Sequence, residues 1–210
     1  MLIAGSLALA QVGRPPRPVP LETPLTPSRE AVAALAEARQ NPLTARLQAA
    51  LGSDPDGRRL LGQIMESRVP VIGPPDPRLL RTARFHPDDR QYTMVVRPPG
   101  QIIEIFGSTR AFRPPEGVTL PPLPSPPTAP PATTRAPPAN PLAAALAQGR
   151  ARGLRDIRTE RTEYGVDVTF GLFGAAYNIS LICDDRGAAS CSESAAVQFA
   201  TRLELIGGGR

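Results

Sequence analysis

Proline is the feature that most limits how this chain can fold, because two proline-rich tracts interrupt every helix and strand pattern. Residues 14–27 contain six prolines and residues 114–139 contain 11. Proline donates no backbone hydrogen bond and fixes its own φ, so such tracts favour extended, hydrogen-bond-poor structure. The sequence therefore predicts a leader at 11–27 and a linker at 114–139. Two small modules remain, 28–113 and 140–210, which could fold independently or pack as one domain.

The first module begins with helical periodicity. Three helices are predicted, each opened by a side chain that can cap it: Ser28, Asn41 and Asp54. Pro42 and Pro55 suit the first helical position of the second and third helices. Apolar residues recur at spacings of three and four in each helix: Val32, Leu35 and Ala36 in the first; Leu43, Leu47 and Leu51 in the second; and Leu60, Leu61, Ile64 and Met65 in the third. A compact helical layer follows from this pattern.

Strand patterns follow the helices. Val69–Ile72, Tyr92–Arg97 and Gln101–Phe106 are predicted strands, the first of them short and proline-flanked. Pro99-Gly100 fits the central positions of a type II turn, so the last two strands should form a β-hairpin. The first module is thus a helical layer plus an antiparallel hairpin.

The second module is predicted to contain a helix, a β-hairpin and a further helix, which gives the whole chain an α+β fold. Asn140-Pro141 opens the first helix, and Val166–Phe170 and Ala175–Cys183 alternate apolar with polar residues around a turn at Phe173-Gly174. Ser192 could cap the final helix, which bears Ala196, Phe199, Ala200 and Leu203 on one side before Gly207. A Cys183–Cys191 disulfide would tie the last strand to this helix.

Three features predict export from a bacterium. Every one of the 24 basic residues is arginine, and with abundant Ala, Gly and Pro this is typical of a GC-rich bacterial genome. Residues 1–10 end in Ala8-Leu9-Ala10, the small-x-small pattern of a signal-peptidase site. A basic region before it is missing, so either the start codon is assigned too late or this is no signal peptide. An isolated cysteine pair is typical of a disulfide outside the cytoplasm.

The composition excludes several kinds of chemistry. Without lysine there is no Walker A loop, no Schiff-base lysine and no Ser-x-x-Lys acylation site. Glycine-rich nucleotide motifs and the serine-hydrolase elbow are missing as well. We therefore expect no cofactor and no metal.

His86, the single histidine, is the one residue that suggests catalysis. With Asp88 or Asp89 it could act as the general base of a hydrolase. No second histidine completes a usual metal site, and no nucleophile is placed nearby by sequence. The simpler interpretation is a polar loop before the hairpin.

Other charged or proline-rich motifs have structural explanations. Asp54-Pro55-Asp56-Gly57 resembles part of a calcium loop, but both key carboxylates of that loop are missing, and helix capping explains Asp54. The arginines at 150, 152, 155, 158 and 161 could contact a polyanion, although interspersed acids favour a salt-bridged, solvated face. Pro121 to Pro124 has the PxxP spacing of a groove ligand but also suits a plain spacer.

The sequence thus favours a non-catalytic binding or scaffolding component of the periplasm or cell surface, and the alternative is a periplasmic or secreted hydrolase. The basic excess lies in residues 1–113, with 15 arginines against 10 acids. The expected partner is another envelope protein or an anionic envelope polymer. Predicted export argues against nucleic acid, and no apolar run reaches the roughly 20 residues of a membrane span.

Overall fold

A computed structural model describes residues 21–113, 140–185 and 187–209. The predicted signal peptide, most of the leader and the linker, with its PxxP motif, lie outside these residues. The helices within them are α1 Arg29–Gln40, α2 Pro42–Leu51, α3 Pro55–Glu66, α4 Pro77–Arg81, α5 Pro141–Ala151 and α6 Glu193–Thr201. The strands are β1 Leu21–Pro24, β2 Pro70–Gly73, β3 Arg84–Pro87, β4 Gln91–Val96, β5 Gln101–Ser108, β6 Arg110–Arg113, β7 Arg155–Arg161, β8 Gly165–Leu172, β9 Ala175–Cys183 and β10 Glu204–Gly208. Helices therefore combine with antiparallel sheets, which confirms the predicted fold class at this level.

Six of these strands form one antiparallel sheet in the order β3-β4-β5-β9-β8-β7. Its central pair joins β5 to β9, with Ile105 opposite Ile179. Strands from both predicted modules therefore lie side by side in one sheet. Whether either module folds alone stays a prediction.

One face of the sheet is covered by other elements, and two tyrosines of the sheet form hydrogen bonds with the covering strands. The two-stranded ribbon of β2 and β10 lies against the buried side chains of Tyr92 and Tyr177. The Ile72 N–H donates to the Tyr92 hydroxyl over 3.2 Å, and the Tyr177 hydroxyl donates to the Pro70 carbonyl over 2.7 Å. Helices α3 and α6 pack on the same side. The hydrophobic core of the described residues therefore lies on this face of the sheet.

The predicted helix starts are confirmed by their caps. The side chains of Ser28, Asn41 and Asp54 accept hydrogen bonds from backbone N–H groups of the first helical turn. Asn140 and Ser192 cap α5 and α6 in the same way. Asp54 is thus a capping residue.

The apolar face predicted for α1 is not part of the core. No residue of α1 is buried, and Val32 is 53% exposed. Polar contacts hold the helix instead, with Arg39 donating to the carbonyls of Gly208 and Gly209 and Arg155 pairing with Glu30. Periodicity predicted the helix correctly, but the surface available to bury it is small.

Two further predictions are wrong in their secondary structure. Residues after Thr201 do not continue a helix to Gly207, because Glu204–Gly208 pairs with β2 across a β-bulge. His86 lies in the edge strand β3 rather than in a loop. A strand of four residues with one inward apolar side chain, Phe85, is too short for alternation to be visible, and Pro87 is tolerated because the strand is at an edge.

Part of the leader also differs from expectation. Leu21–Pro24 pairs with Arg110–Arg113, so this part of the leader is a hydrogen-bonded strand rather than hydrogen-bond-poor. The short helix α4 was not predicted. It is capped by Asp76 and buries Leu80.

The predicted disulfide is present. Cys183, the last residue of β9, is bonded to Cys191, which ends a 3₁₀ turn at Ala189–Cys191 directly before α6. The bond therefore joins the strand to the turn that leads into the final helix, close to the predicted strand-to-helix connection. Within the described residues no helix has the length and hydrophobicity needed to cross a bilayer.

Candidate functional site

The histidine and aspartates predicted as hydrolase candidates do not form a contact with one another. His86 is exposed on β3, with Thr93 as its cross-strand neighbour. Asp89 pairs with Arg68 over 2.7 Å, while Asp88 accepts from the side-chain amide of Gln91 over 3.0 Å. Within the described residues both carboxylates are thus engaged away from the imidazole.

Two clefts flank the turn at Phe173, and neither contains the three hydrolase candidates. The larger, about 470 Å³, lies between α1 and the end of α6. Its rim holds the ion pair of Arg152 with Glu204 over 2.6 Å, and Arg152 also donates to the Thr201 carbonyl. The smaller cleft measures about 320 Å³ and is lined in part by Arg68, which already pairs with Asp89. Their charged groups are therefore largely engaged within the chain.

The arginine-rich stretch at 150–161 is divided between two elements. α5 ends within it and β7 follows, so its arginines do not share one face. Arg152 pairs with Glu204 and Arg155 with Glu30, both over 2.6 Å. These partners come from distant sequence rather than from the interspersed acids. The stretch presents no uniform basic surface.

The uncovered face of the six-stranded sheet is the strongest candidate for a functional surface. Alternate residues of its strands point away from the core, and no helix or strand of the described chain packs over them. We call this surface the open face. Its central residues are Thr93, Val95, Ile102, Glu104, Phe106, Asp167, Thr169, Asn178, Ser180 and Ile182, flanked at the sheet edges by Arg84, His86, Arg158 and Glu160.

Apolar side chains lie in the middle of the open face. Val95, Ile102, Phe106 and Ile182 are half-buried, whereas most of the residues that alternate with them are buried on the other side. Antiparallel sheets commonly leave one face to solvent, and that face is then predominantly polar. Apolar side chains on this face, with Glu104 between Ile102 and Phe106 along β5, favour contact with another surface.

Carboxylates are arranged in one row across the open face. Register places Glu104 opposite Ser180, Ser180 opposite Asp167, and Asp167 opposite Glu160. Within the described residues none of the three carboxylates has an ion-pair or hydrogen-bond partner. Like charges directly opposite on neighbouring strands are destabilising. The direct opposition of Asp167 and Glu160 is therefore unfavourable by itself.

Sequence reasoning missed the open face, although part of the signal was present. Alternation identified the strands, and it placed Glu104 and Phe106 on the same side of β5. It could not show that β5 lies beside β9, or that α3, α5 and α6 pack on the opposite face. Those facts depend on contacts between residues more than 60 positions apart.

The described residues hold no cluster of three or more His, Cys, Asp or Glu side chains able to bind a metal ion. No protein-family model matches the chain, and neither the curated proteins nor the solved structures contain a match.

Proposed function

We propose that this chain is an exported component of the bacterial envelope that acts by binding or scaffolding, without catalysis. One observation carries the proposal: a broad, partly apolar sheet face that no described element covers. The disulfide is compatible with a compartment outside the cytoplasm.

The size of the open face supports a protein-binding role. Six strands about 4.8 Å apart and four to nine residues long span an area of roughly 600 Å². A stable interface covers about 800 Å² on each partner, so the face supplies most of one. The apolar side chains on its central strands provide surface of the kind that such interfaces bury, and the carboxylates of Glu104 and Asp167 lie beside them.

A site-specific cross-linking experiment tests the proposal. A photo-reactive phenylalanine analogue replaces Phe106 on the open face, and a matched variant carries it at Met65, which is 37% exposed on α3 on the opposite side. We expect a discrete cross-linked protein in the envelope from position 106 and none from position 65. Equal labelling from both positions, or none from position 106, contradicts a binding role for this face.

The hydrolase alternative makes the opposite prediction for His86. If the chain acts by binding, His86→Ala, at the edge of the open face rather than on its central strands, keeps both the cross-link from position 106 and the cellular phenotype of the gene. The exposed position of His86 makes the substitution neutral for folding. A folded His86→Ala protein without the phenotype would place the hydrolase ahead of the scaffold.

Export is tested by the mass of the native protein. Cleavage after Ala10 would leave a chain that starts at Gln11, and the intact mass distinguishes this from the full chain. Thiol labelling of denatured, non-reduced protein should then find no free cysteine. A cytoplasmic protein retaining residues 2–10 contradicts export.

A further inference from the structure

We infer that the open face binds a cationic segment of a partner protein, in preference to an anionic polymer or a second copy of this chain. The inference rests on the proposed binding function and specifies the chemistry of the partner.

The sign of the charge at the centre of the face supports this choice. On the three adjacent strands β5, β9 and β8, the outward residues include Glu104 and Asp167 but no basic residue. Among the residues paired in the sheet, the arginines of the open face are Arg84 and Arg158, on the edge strands β3 and β7. An anionic wall polymer or lipid headgroup would meet two like charges at the centre. A cationic segment would meet opposite ones.

A second copy is disfavoured by the same charges. Two open faces packed against each other would remove Glu104 and Asp167 from water, and neither copy offers a cation from its central strands. Burying an ionised carboxylate without a partner is strongly unfavourable. A partner with its own arginine or lysine side chains removes that penalty and forms charge-assisted hydrogen bonds.

Geometry specifies the spacing of the cations. Glu104 and Asp167 lie in the same row with β9 between their strands, which puts their backbones about 10 Å apart. In a polyproline II segment, residues three apart project on the same side and are separated by about 9 Å. A segment with basic residues at this spacing can pair with both carboxylates while its apolar residues contact Phe106 and Ile102.

The test measures binding of defined peptides to the full chain by fluorescence anisotropy in 50 mM salt. The probe is the labelled peptide Arg-Pro-Pro-Arg-Pro-Pro-Arg, whose arginines have the matching spacing. Two peptides serve as controls: Arg-Arg-Arg-Pro-Pro-Pro-Pro has the same composition with contiguous arginines, and Glu-Pro-Pro-Glu-Pro-Pro-Glu reverses the charge. We expect saturable binding of the probe, at least threefold weaker binding of the contiguous peptide, and none of the acidic one.

Variants of the chain locate the contact. Glu104→Gln and Asp167→Asn should each weaken probe binding about threefold and their combination about tenfold, in line with partly exposed ion pairs. Glu66→Gln, an exposed carboxylate on α3, is the matched control and should leave binding unchanged. Thermal unfolding of each variant verifies that the fold is kept.

Several outcomes overturn the inference. These are unchanged affinity in the Glu104→Gln/Asp167→Asn variant, tighter binding of the acidic peptide, equal binding of the two basic peptides, or dimerisation that Phe106→Glu abolishes. If the probe fails to bind while position 106 still cross-links a partner, the cationic segment is excluded and the binding function stands. Failure of both measurements removes the proposed function as well.

Discussion

At the scale of single residues, two buried tyrosine hydroxyls connect the sheet to the ribbon that covers it. Gly107 lies between Tyr92 and Tyr177 in the cross-strand row, and a Cβ built there would approach the Tyr92 ring to 2.5 Å. The missing side chain therefore leaves room for both rings. Each hydroxyl then reaches the backbone of β2, at Ile72 and Pro70.

Removing the Tyr177 hydroxyl should destabilise the protein. In Tyr177→Phe the Pro70 carbonyl loses its buried donor, which costs about 1–3 kcal/mol. Urea unfolding followed by circular dichroism measures the change. Tyr164→Phe is the matched control, because Tyr164 is 64% exposed and should change stability by less than about 0.5 kcal/mol. Equal effects in the two variants would show that the buried hydrogen bond contributes nothing.

The same tyrosines predict a loss of stability in alkali. Burial raises the pKa of Tyr177 well above its usual value, and the neighbouring Tyr92 raises it further. Burial likewise raises the pKa of Tyr92, although its hydrogen bond from Ile72 lowers it in part. Unfolded tyrosines ionise near pH 10, so above that pH the unfolded state releases protons that the native state keeps. The stabilising contribution is therefore full below about pH 10 and decreases as the pH rises, by about 1.4 kcal/mol per pH unit for each tyrosine.

Unfolding midpoints between pH 8 and pH 11.5 measure this effect. No lysine or thiol titrates in this pH range, because the chain has no lysine and both cysteines are bonded. We expect a shallower decline in Tyr177→Phe than in the natural sequence. A stability that stays constant to pH 11.5 would mean that the hydroxyls are not buried.

At the scale of elements, the disulfide fixes the start of α6 to the end of β9. The bond closes a loop across a sequence separation of eight residues. A loop of this length stabilises the fold by roughly 2–3 kcal/mol, chiefly by restricting the unfolded chain. The Cys183→Ser/Cys191→Ser variant should therefore unfold at a correspondingly lower urea concentration. A midpoint equal to that of the oxidised protein would show that the contacts of α6 suffice without it.

The opposed carboxylates of the acidic row predict that a single substitution raises the stability of the fold and weakens binding of the cationic probe. Glu160→Gln removes one of two opposed carboxylates on β7 and β8, so it should raise the free energy of unfolding by about 0.2–1 kcal/mol. The same change should weaken binding of the cationic probe. Arg155→Gln, on the same strand, breaks the pair with Glu30 and should not raise stability. Destabilisation by Glu160→Gln would mean that Glu160 has a structural role.

At the scale of the whole molecule, one sheet unites the two predicted modules. The ladder between β5 and β9 is eight residue pairs long. Ile103 and Ile105 on one side of it, and Ile179 and Leu181 on the other, belong to the same buried layer. Each module separated from the other would expose both an unpaired strand edge and part of its core.

Separate expression tests this dependence. We expect residues 11–113 and residues 140–210 each to lack a cooperative unfolding transition alone and to gain one when mixed. Cleavage at Arg135 in the linker, by contrast, should leave the complex folded. A cooperative transition in either half alone would support independent modules.

The sequence by itself determined the local structure, and for physical reasons. Helix starts depend on one capping side chain next to a proline, at Asn41-Pro42 and Asp54-Pro55, and strand identity depends on alternation such as that of Ala175–Cys183. The disulfide followed from the presence of two cysteines alone. All of these signals lie within a few residues of one another.

The tertiary structure decided which surfaces are buried and which stay open. β10 could not be distinguished from a helix extension, because its partner β2 lies more than 130 residues earlier. Val32 and Phe106 both occupy apolar positions of a periodic pattern, yet neither belongs to the core. α1 has little surface to pack against, and Phe106 lies on the face of the sheet opposite the core. Whether a residue is buried depends on which part of the chain packs against it. The row of Glu104 and Asp167 likewise exists only because β5 and β8 both flank β9.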